Sequence, residues 1–205
     1  MLPFPHPKLM RIPFATAPLA LMLAITLGRA TTLPAQVALR AAPSTRATSE
    51  VTLAYPEGQA PAGAKPMMIR LDYGQPHLRG RVLNTDSLVP YDKPWRAGAN
   101  AATRLVTEVD LMVGGATLPK GTYVLFILPS RTGWTLLIQK NGAEPEASYD
   151  AKSEVARVEL RVRTSTEPTE SLSMTLIPVT GTNPAHGELR IAWGTVSLST
   201  DWIVR

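Results

Sequence analysis

The sequence contains no cysteine and only three histidines among its 205 residues. The lack of cysteine excludes disulfides, thiolate metal sites and cysteine nucleophiles, and three histidines argue against a histidine-rich metal centre. We therefore expect no metal site and no cofactor. Aromatic residues make up 6% of the chain and charged residues 18%, whereas proline and glycine occur 19 and 14 times. This composition is typical of a globular chain with many loops, and it excludes a coiled coil or an acidic disordered tail.

Positive charge is in modest excess and is unevenly placed. The formal net charge is +5, and three of these charges, Lys8, Arg11 and Arg29, lie within residues 1–35, which contain no acidic residue. The rest of the chain is left with +2. Because a protein that binds the phosphate backbone needs a larger basic excess on one face, we expect no nucleic-acid partner.

A long hydrophobic run is also missing. The apolar stretch 19–27 follows Lys8 and Arg11 and precedes small residues up to Ala35. This order predicts a secretory signal peptide over residues 1–35, with cleavage after Ala35. The run has about half of the ~20 residues that a membrane-spanning helix needs, so an uncleaved anchor is the alternative.

The absence of cysteine also denies a lipid anchor, so the predicted location is the periplasm or the exterior. We expect no stable membrane anchor after signal cleavage. Met10 offers an alternative start. Residues 36–49 are small, polar and aperiodic, which predicts a flexible leader. Residues 50–205 then form a single domain of ordinary size.

Alternation with a period of two runs through this domain. In residues 155–163 apolar side chains alternate with charged ones, and the segments 171–176 and 105–113 behave in the same way. Such a pattern is typical of a strand with one solvated face. Residues 123–128 are apolar at every position, which predicts a central strand that is covered on both faces.

Glycine and proline turn signals separate these runs and suggest an antiparallel arrangement. The sequence predicts an all-β fold, an antiparallel β-sandwich of about ten short strands that is jelly-roll-like or a partly closed barrel. The predicted runs are 51–55, 67–73, 79–83, 104–113, 122–128, 133–140, 155–163, 171–179, 188–193 and 195–204.

Residues 72–103 lack this alternation and are rich in rings and arginines. Loops on a rigid β scaffold often carry recognition residues, and tryptophan, tyrosine and arginine together can stack on a flat ligand and bond its carboxylate or hydroxyl groups. Asn100 also suits a turn position. The candidate ligand-binding residues are Tyr73, His77, Arg81, Tyr91, Trp95, Arg96 and Asn100.

Two strings carry a family resemblance: Trp-Arg-Ala-Gly-Ala-Asn at 95–100 and Leu-Pro-Lys-Gly-Thr-Tyr at 118–123. With the flanking residues, they make the stretch 67–205 resemble the bacterial domain-of-unknown-function family 2911. The resemblance implies an exported, all-β bacterial domain, and it brings no established activity. The chain departs from the family at Gly74 and Gln75, where Ser-Arg is usual, and at Asp92, where glycine is usual.

Structural roles compete with binding roles in this loop. Arg96 could form an ion pair with Asp92, Glu108 or Asp110 and so lock the loop in place. Trp95 could cover the end of the sandwich rather than stack on a ligand.

We interpret the protein as a non-enzymatic, extracytoplasmic binding module for a small polar ligand, a glycan or a cell-envelope partner. One alternative is a hydrolase or isomerase that uses His77 or an aspartate as acid or base beside Arg96. A second alternative is a structural or assembly module whose exposed sheet edge pairs with a protein partner. The sequence leaves open whether the protein is an enzyme and favours the binding module.

Overall fold

A computed structural model describes residues 39–140 and 148–205, so the predicted signal peptide lies outside the described residues. Within this part of the chain there is no α-helix, and a single 3-10 turn spans Ala151–Ser153. No helix in it has the length and hydrophobicity to cross a membrane. The nine strands are β1 Thr45–Leu53, β2 Met67–Gln75, β3 Arg104–Thr107, β4 Leu111–Val113, β5 Ala116–Leu118, β6 Gly121–Pro129, β7 Trp134–Lys140, β8 Glu154–Val179 and β9 His186–Val204.

The strands form one antiparallel sheet in the order β1-β2-β3-β6-β7-β8-β9-β4-β5. This confirms the predicted all-β, antiparallel fold. β8 belongs to both halves of the sheet, because residues up to Leu160 pair with β7 and residues from Arg161 onward pair with β9. The sheet folds over so that its halves face each other across an apolar core. Ile69 and Leu125 of one half meet Leu189 and Trp202 of the other.

β6 is the strand that the sequence predicts to be covered on both faces, and the structure confirms this. Leu125 and Ile127 are buried in the main core. Phe126, on the opposite face, is also buried, and its ring packs edge-on against Tyr149 at 5.5 Å between centroids. A strand covered on both sides has no solvated face, so apolar residues follow one another without alternation.

β8 and β9 are longer than the predicted strands, with 26 and 19 residues. Each joins two predicted runs, because the backbone stays extended through the residues between them. The pairing of β8 with β9 shifts register twice, between Thr164 and Thr169 and between Thr169 and Ser173. Opposite these shifts, Gly194 of β9 has a φ of 58°. A β-bulge of this kind bends a strand and turns part of it toward a new neighbour.

Two predicted runs are wrong in detail. Residues 79–83 form turns rather than a strand, because Arg79 and Gly80 adopt φ angles of 51° and 75°, which an extended strand excludes. The run 104–113 is interrupted after Thr107, whose side-chain hydroxyl donates to the Val109 carbonyl at 2.6 Å. The chain turns there and enters the other half of the sheet as β4.

The edge of β8 that does not pair with β9 faces β1 and β2. Its backbone groups form isolated hydrogen bonds there instead of a regular β-ladder. Unpaired backbone groups at an interior edge are costly, so each needs an acceptor. Three N–H groups of β8 donate across this seam: Leu172 to the Pro76 carbonyl at 2.9 Å, Met174 to the Tyr73 hydroxyl at 3.1 Å and Leu176 to the Ser49 hydroxyl at 2.9 Å. Two side-chain hydroxyls and one backbone carbonyl thus replace ladder pairing between the two halves.

β1 begins five residues earlier than the predicted domain. Thr45 to Ser49, assigned to the leader by their small polar side chains, pair in register with β2. Arg46 and Glu50 point outward, whereas Val51 is buried in the core. Short polar residues fit an edge strand with one wet face, so composition alone does not distinguish this segment from a flexible leader.

Candidate functional site

The loop between β2 and β3, residues 76–103, runs along the part of β6 that β3 does not reach. Trp95 and Ile127 exchange two backbone hydrogen bonds of 2.8 Å, and the Asp92 N–H donates to the Pro129 carbonyl at 2.8 Å. Nearer β3, the Leu125 N–H donates to the Thr103 carbonyl at 3.0 Å. The loop therefore satisfies the free edge of the central strand without forming a regular strand of its own.

A close backbone approach holds the C-terminal part of this loop, at Gly98 and Ala99, on β2. A Cβ atom at Gly74 would lie 1.8 Å from the Ala99 carbonyl oxygen, and one at Gly98 would lie 2.9 Å from the Gly74 carbonyl oxygen. The Ala99 N–H donates to the same Gly74 carbonyl at 3.1 Å. Only glycine leaves room for this contact, which explains why the sequence places small residues here.

The N-terminal segment is tied to the same loop from outside. The Arg79 guanidinium donates to the Pro43 carbonyl at 3.0 Å, and the Asn100 amide donates to the Ser44 carbonyl at 3.3 Å. Arg46 forms an ion pair with Asp72 and also donates to carbonyl oxygens at the end of the loop. These bonds fasten the start of β1 to both ends of the loop.

Trp95 lies over the core rather than on an open surface. Its ring stacks on Trp193 with 5.6 Å between centroids and 18° between planes. Together with Trp134 and Leu172 it lines an apolar space between the two halves of the sheet. Of the two roles that the sequence leaves open, this position corresponds to a cover at the end of the sandwich.

The side chains of Arg96 and Asn100, in the C-terminal part of the loop, both donate hydrogen bonds to backbone carbonyls. The exposed Arg96 guanidinium donates to the Asn100 carbonyl at 2.7 Å, and Arg96 takes no part in the ion pairs found among the described residues. The expected ion pair with Asp92, Glu108 or Asp110 does not form there. Asn100 has a φ of 61°, which agrees with the turn position expected for it.

The remaining predicted ring residues are spread over different surroundings. Tyr73 is 4% exposed and its hydroxyl belongs to the seam with β8. His77 is half-buried and its Nδ1 lies 2.6 Å from the Ser171 hydroxyl. Tyr91 lies under the Arg131 guanidinium, which is 5.0 Å from its ring centroid. The seven candidates therefore do not converge on one point.

An open groove of about 520 Å³ lies beside the first part of the loop. It forms where the bulged part of β8 leaves β9 and approaches the loop instead. The Leu78 N–H donates to the Glu170 carbonyl at 2.9 Å, and His77 bridges to Ser171. The groove is lined by Leu78, Gly80, Arg81, Val82, Leu83, Asn84, Pro168, Glu170, Gly194, Thr195 and Val196.

Arg81 is the predicted candidate that lines this groove. Its Nε donates to the Leu78 carbonyl at 2.9 Å and its Nη2 to the His77 carbonyl at 2.7 Å. These two bonds fix the guanidinium at the groove wall. Glu170 shares the groove, and its Oε1 accepts the Arg79 N–H at 2.7 Å. Both charged groups are thus held in place by backbone partners.

Asn84 contributes the least satisfied polar atom of the groove. Its Oδ1 is buried and has no hydrogen-bond partner within the described part of the chain. A buried acceptor without a partner costs about 1–3 kcal/mol, so such an atom calls for an explanation. Asn84 also has a φ of 61°, and it lines the groove together with Leu83 and Gly194.

Sequence reasoning missed Asn84, Glu170 and Gly194. A signal for Gly194 exists, since an isolated glycine between two strand runs indicates a bulge or a close approach. A Cβ at Gly194 would lie 3.2 Å from the Leu83 side chain, so glycine leaves space for that wall of the groove. Asn84 and Glu170 are separated by 86 positions, and only the bulge of β8 brings them to the same groove.

Backbone strain is concentrated in this loop. A non-glycine residue with positive φ is uncommon, and for a β-branched residue such as Val89, at 53°, it is an outlier. Among the described residues such conformations occur at Arg79, Asn84, Val89, Asp92, Ala97 and Asn100. All six lie within 22 consecutive positions, and one of them, Asn84, lines the groove.

Charge pairing, by contrast, is found mainly on the sheet. Arg161 of β8 donates two bonds of 2.7 Å to the Asp201 carboxylate of β9. The hydrogen bonds from Arg161 lower the pKa of Asp201 below its ordinary value. Among the described residues no three His, Asp or Glu side chains cluster closely enough to hold a metal ion.

A comparison with protein-family models matches residues 56–201, more than two thirds of the chain, to a family described as protein of unknown function (DUF2911). The matched region includes the loop, the groove, strands β2 to β8 and most of β9. No curated protein and no solved structure matches the chain.

Proposed function

Because the chain belongs to the family of proteins of unknown function DUF2911, which carries no activity with it, we propose a function from the groove: the protein is an exported, non-enzymatic module that binds a small polar ligand there. Export is supported by the basic, apolar and small-residue segments of residues 1–35. Binding is supported by three properties of the groove and its loop.

The observation that carries the proposal is the buried, unpartnered Oδ1 of Asn84. Native proteins leave few buried polar atoms unsatisfied, and a small rotation of the Asn84 side chain into the groove that it lines would let a ligand donate a hydrogen bond to this one. The groove around it has about 520 Å³, within the usual range for small-molecule sites. Its lining combines aliphatic walls with a small number of polar groups, which is the usual composition of such sites.

The bulge of β8 and the strain of the loop support the same location. Bulges are over-represented next to functional sites, where they re-aim side chains. Residues in sparsely populated backbone regions cost about 1–3 kcal/mol each and cluster at ligand-binding segments. Here the strained residue Asn84 lines the groove, and so does Gly194 at the bulge.

The enzymatic alternative has less support. His77 contacts Ser171, which provides a base beside a hydroxyl, but neither residue lines the groove. No described carboxylate bonds to His77 in the way that orients a catalytic histidine, and Arg96 is engaged with the Asn100 carbonyl. A nucleophile, a base and an anion-binding group therefore do not meet at one place.

The experiment is a thermal-unfolding screen of the purified protein against sugars, amino acids, short peptides and organic acids. A ligand at a hundred times its Kd adds about 2.7 kcal/mol, which for a domain of this size raises the Tm by roughly 5–10 °C. Asn84→Gly removes the amide and keeps a residue that tolerates positive φ. We expect this variant to lose most of the shift.

Asp92→Gly is the matched control, because Asp92 has a φ of 60°, is exposed and lies outside the groove lining. It should keep the full ligand-induced shift. If no compound raises the Tm, or if every compound that does so acts equally on the wild type and on Asn84→Gly, the groove is not the binding site.

A further inference from the structure

The polar groups of the groove indicate the class of ligand, an inference that rests on the proposed function. We infer that the groove binds a zwitterion with an aliphatic side chain, which is the chemistry of an aliphatic amino acid or a short peptide of such residues. Each charged part of this ligand corresponds to a polar group of the groove, and its aliphatic part corresponds to the apolar walls.

Arg81 provides the group for a carboxylate. The guanidinium has five N–H donors, and the bonds to the His77 and Leu78 carbonyls use two of them. The other three, including both on Nη1, have no partner within the described part of the chain. A guanidinium fixed in this way loses little further conformational freedom on binding and suits the two oxygens of a carboxylate.

Glu170 and Asn84 provide the groups for an ammonium. Glu170 Oε1 is occupied by the Arg79 N–H, whereas Oε2 accepts no bond from a described residue. Asn84 Oδ1 is a second acceptor that lacks a donor. An ammonium carries three N–H donors and no acceptor, so it suits a part of the groove where the free groups are acceptors.

The two charges in the groove remain separate. The ion pairs found among the described residues do not include Arg81 with Glu170, although both line the groove. Opposite charges that are held apart by backbone bonds favour a ligand that carries both charges itself. A purely anionic or purely cationic ligand would contact only one of them.

The walls of the groove determine the third part of the ligand. Leu78, Leu83 and Val196 contribute aliphatic surface, and Val82 is 72% exposed at the rim. None of the described lining residues is aromatic, and the ring that the sequence suggests for stacking, Trp95, packs on Trp193 instead. An aliphatic side chain fits these walls better than a sugar ring, which binds best against an aromatic face.

The test measures calorimetric binding of leucine and leucyl-leucine to the full chain. The comparison ligands are leucinamide, which lacks the carboxylate, N-acetyl-leucine, which lacks the ammonium, and glucose. Because a hydrogen bond to a charged group is worth about 1.5–3 kcal/mol, each blocked leucine should bind about tenfold to a hundredfold more weakly. Leucine and leucyl-leucine separate a free amino acid from a peptide.

Two variants assign each end of the ligand to its partner. In Arg81→Gln, leucine should lose its advantage over leucinamide and keep its advantage over N-acetyl-leucine. In Glu170→Gln, leucine should keep its advantage over leucinamide and lose its advantage over N-acetyl-leucine. Comparing ligand and protein changes in this way is a double-mutant cycle. Arg163→Gln, at an exposed position on β8 outside the groove lining, should bind every ligand as the wild type does.

The outcomes separate this inference from the proposed function. If glucose or another uncharged compound binds and the Asn84→Gly variant abolishes that binding, the groove is a ligand site but the zwitterion is wrong. Equal binding of leucine and its blocked forms overturns the inference in the same way. If nothing that binds responds to Asn84→Gly, both proposals are wrong.

Discussion

The strands and the loop 76–103 differ in how their backbone is held. In the nine strands every non-glycine residue has a negative φ, whereas the loop contains six non-glycine residues with positive φ. The strands are stabilised by ladder bonds and by burial of alternate side chains. The loop depends on single contacts with β2, β6 and the N-terminal segment. Strain of this amount persists only where the surroundings fix it, so the sheet supports the conformation that the groove requires.

The largest expected effect comes from breaking the contact between the loop and β2. Gly74→Ala places a Cβ 1.8 Å from the Ala99 carbonyl oxygen, a backbone atom that cannot rotate away. We expect a loss of about 3 kcal/mol in the free energy of unfolding, measured by chemical denaturation. Gly133→Ala is the control, because nothing lies within 4 Å of its added Cβ. If Gly74→Ala is as stable as the control, the loop is not docked on β2 as described.

A smaller effect is expected at the seam between the two halves of the sheet. Tyr73→Phe removes the hydroxyl that accepts the buried Met174 N–H and leaves this donor without a partner. The expected loss is about 1–3 kcal/mol, because a buried donor pays its full desolvation cost. Denaturation and hydrogen exchange of the Met174 amide both measure it. An unchanged exchange rate would show that the hydroxyl does not close the edge of β8.

The smallest expected effect has the opposite sign and tests the strain of the loop directly. Asp92→Gly removes the Cβ that makes a positive φ unfavourable at this exposed residue, whose side chain does not line the groove. We expect a gain of about 0.5–1 kcal/mol in unfolding free energy, because glycine adopts this conformation without a Cβ penalty. Lys93→Gly, at the next position and without positive φ, should instead destabilise. Loss of stability in both variants would argue against strain at Asp92.

Prediction from sequence succeeded where one periodicity covered a whole element. The uninterrupted apolar residues of β6 predicted a strand covered on both faces, and Phe126 and Leu125 confirm it from opposite sides. The family resemblance over 67–205 agrees with the model match over 56–201. The ten predicted runs become nine strands because β8 and β9 each join two runs and residues 79–83 form no strand, whereas the run 104–113 divides into β3 and β4 and β5 is additional. A bulge keeps the backbone extended, so the break in periodicity does not end the strand.

The candidate site was predicted only in part. Arg81 was named from the sequence and lines the groove, whereas Tyr73 and Trp95 lie at internal contacts. Rings and arginines in a non-alternating loop indicate contacts, but the same side chains serve packing and binding. Asn84 gave no signal of its own because an asparagine in a turn is ordinary, and its importance arises from burial without a partner.

The sequence by itself determined the alternation that makes an antiparallel, all-β domain and the glycines that permit its close contacts. These follow from local physics, because side-chain period and backbone freedom are properties of neighbouring residues. Tertiary structure decided which polar atoms share the groove. Asn84, Arg81 and Glu170 line the same groove because β8 shifts register against β9 and approaches the loop. A register shift is set by contacts across the sheet between residues far apart in the chain, so the isolated Gly194 can indicate a bulge but not which distant residues it brings to the groove.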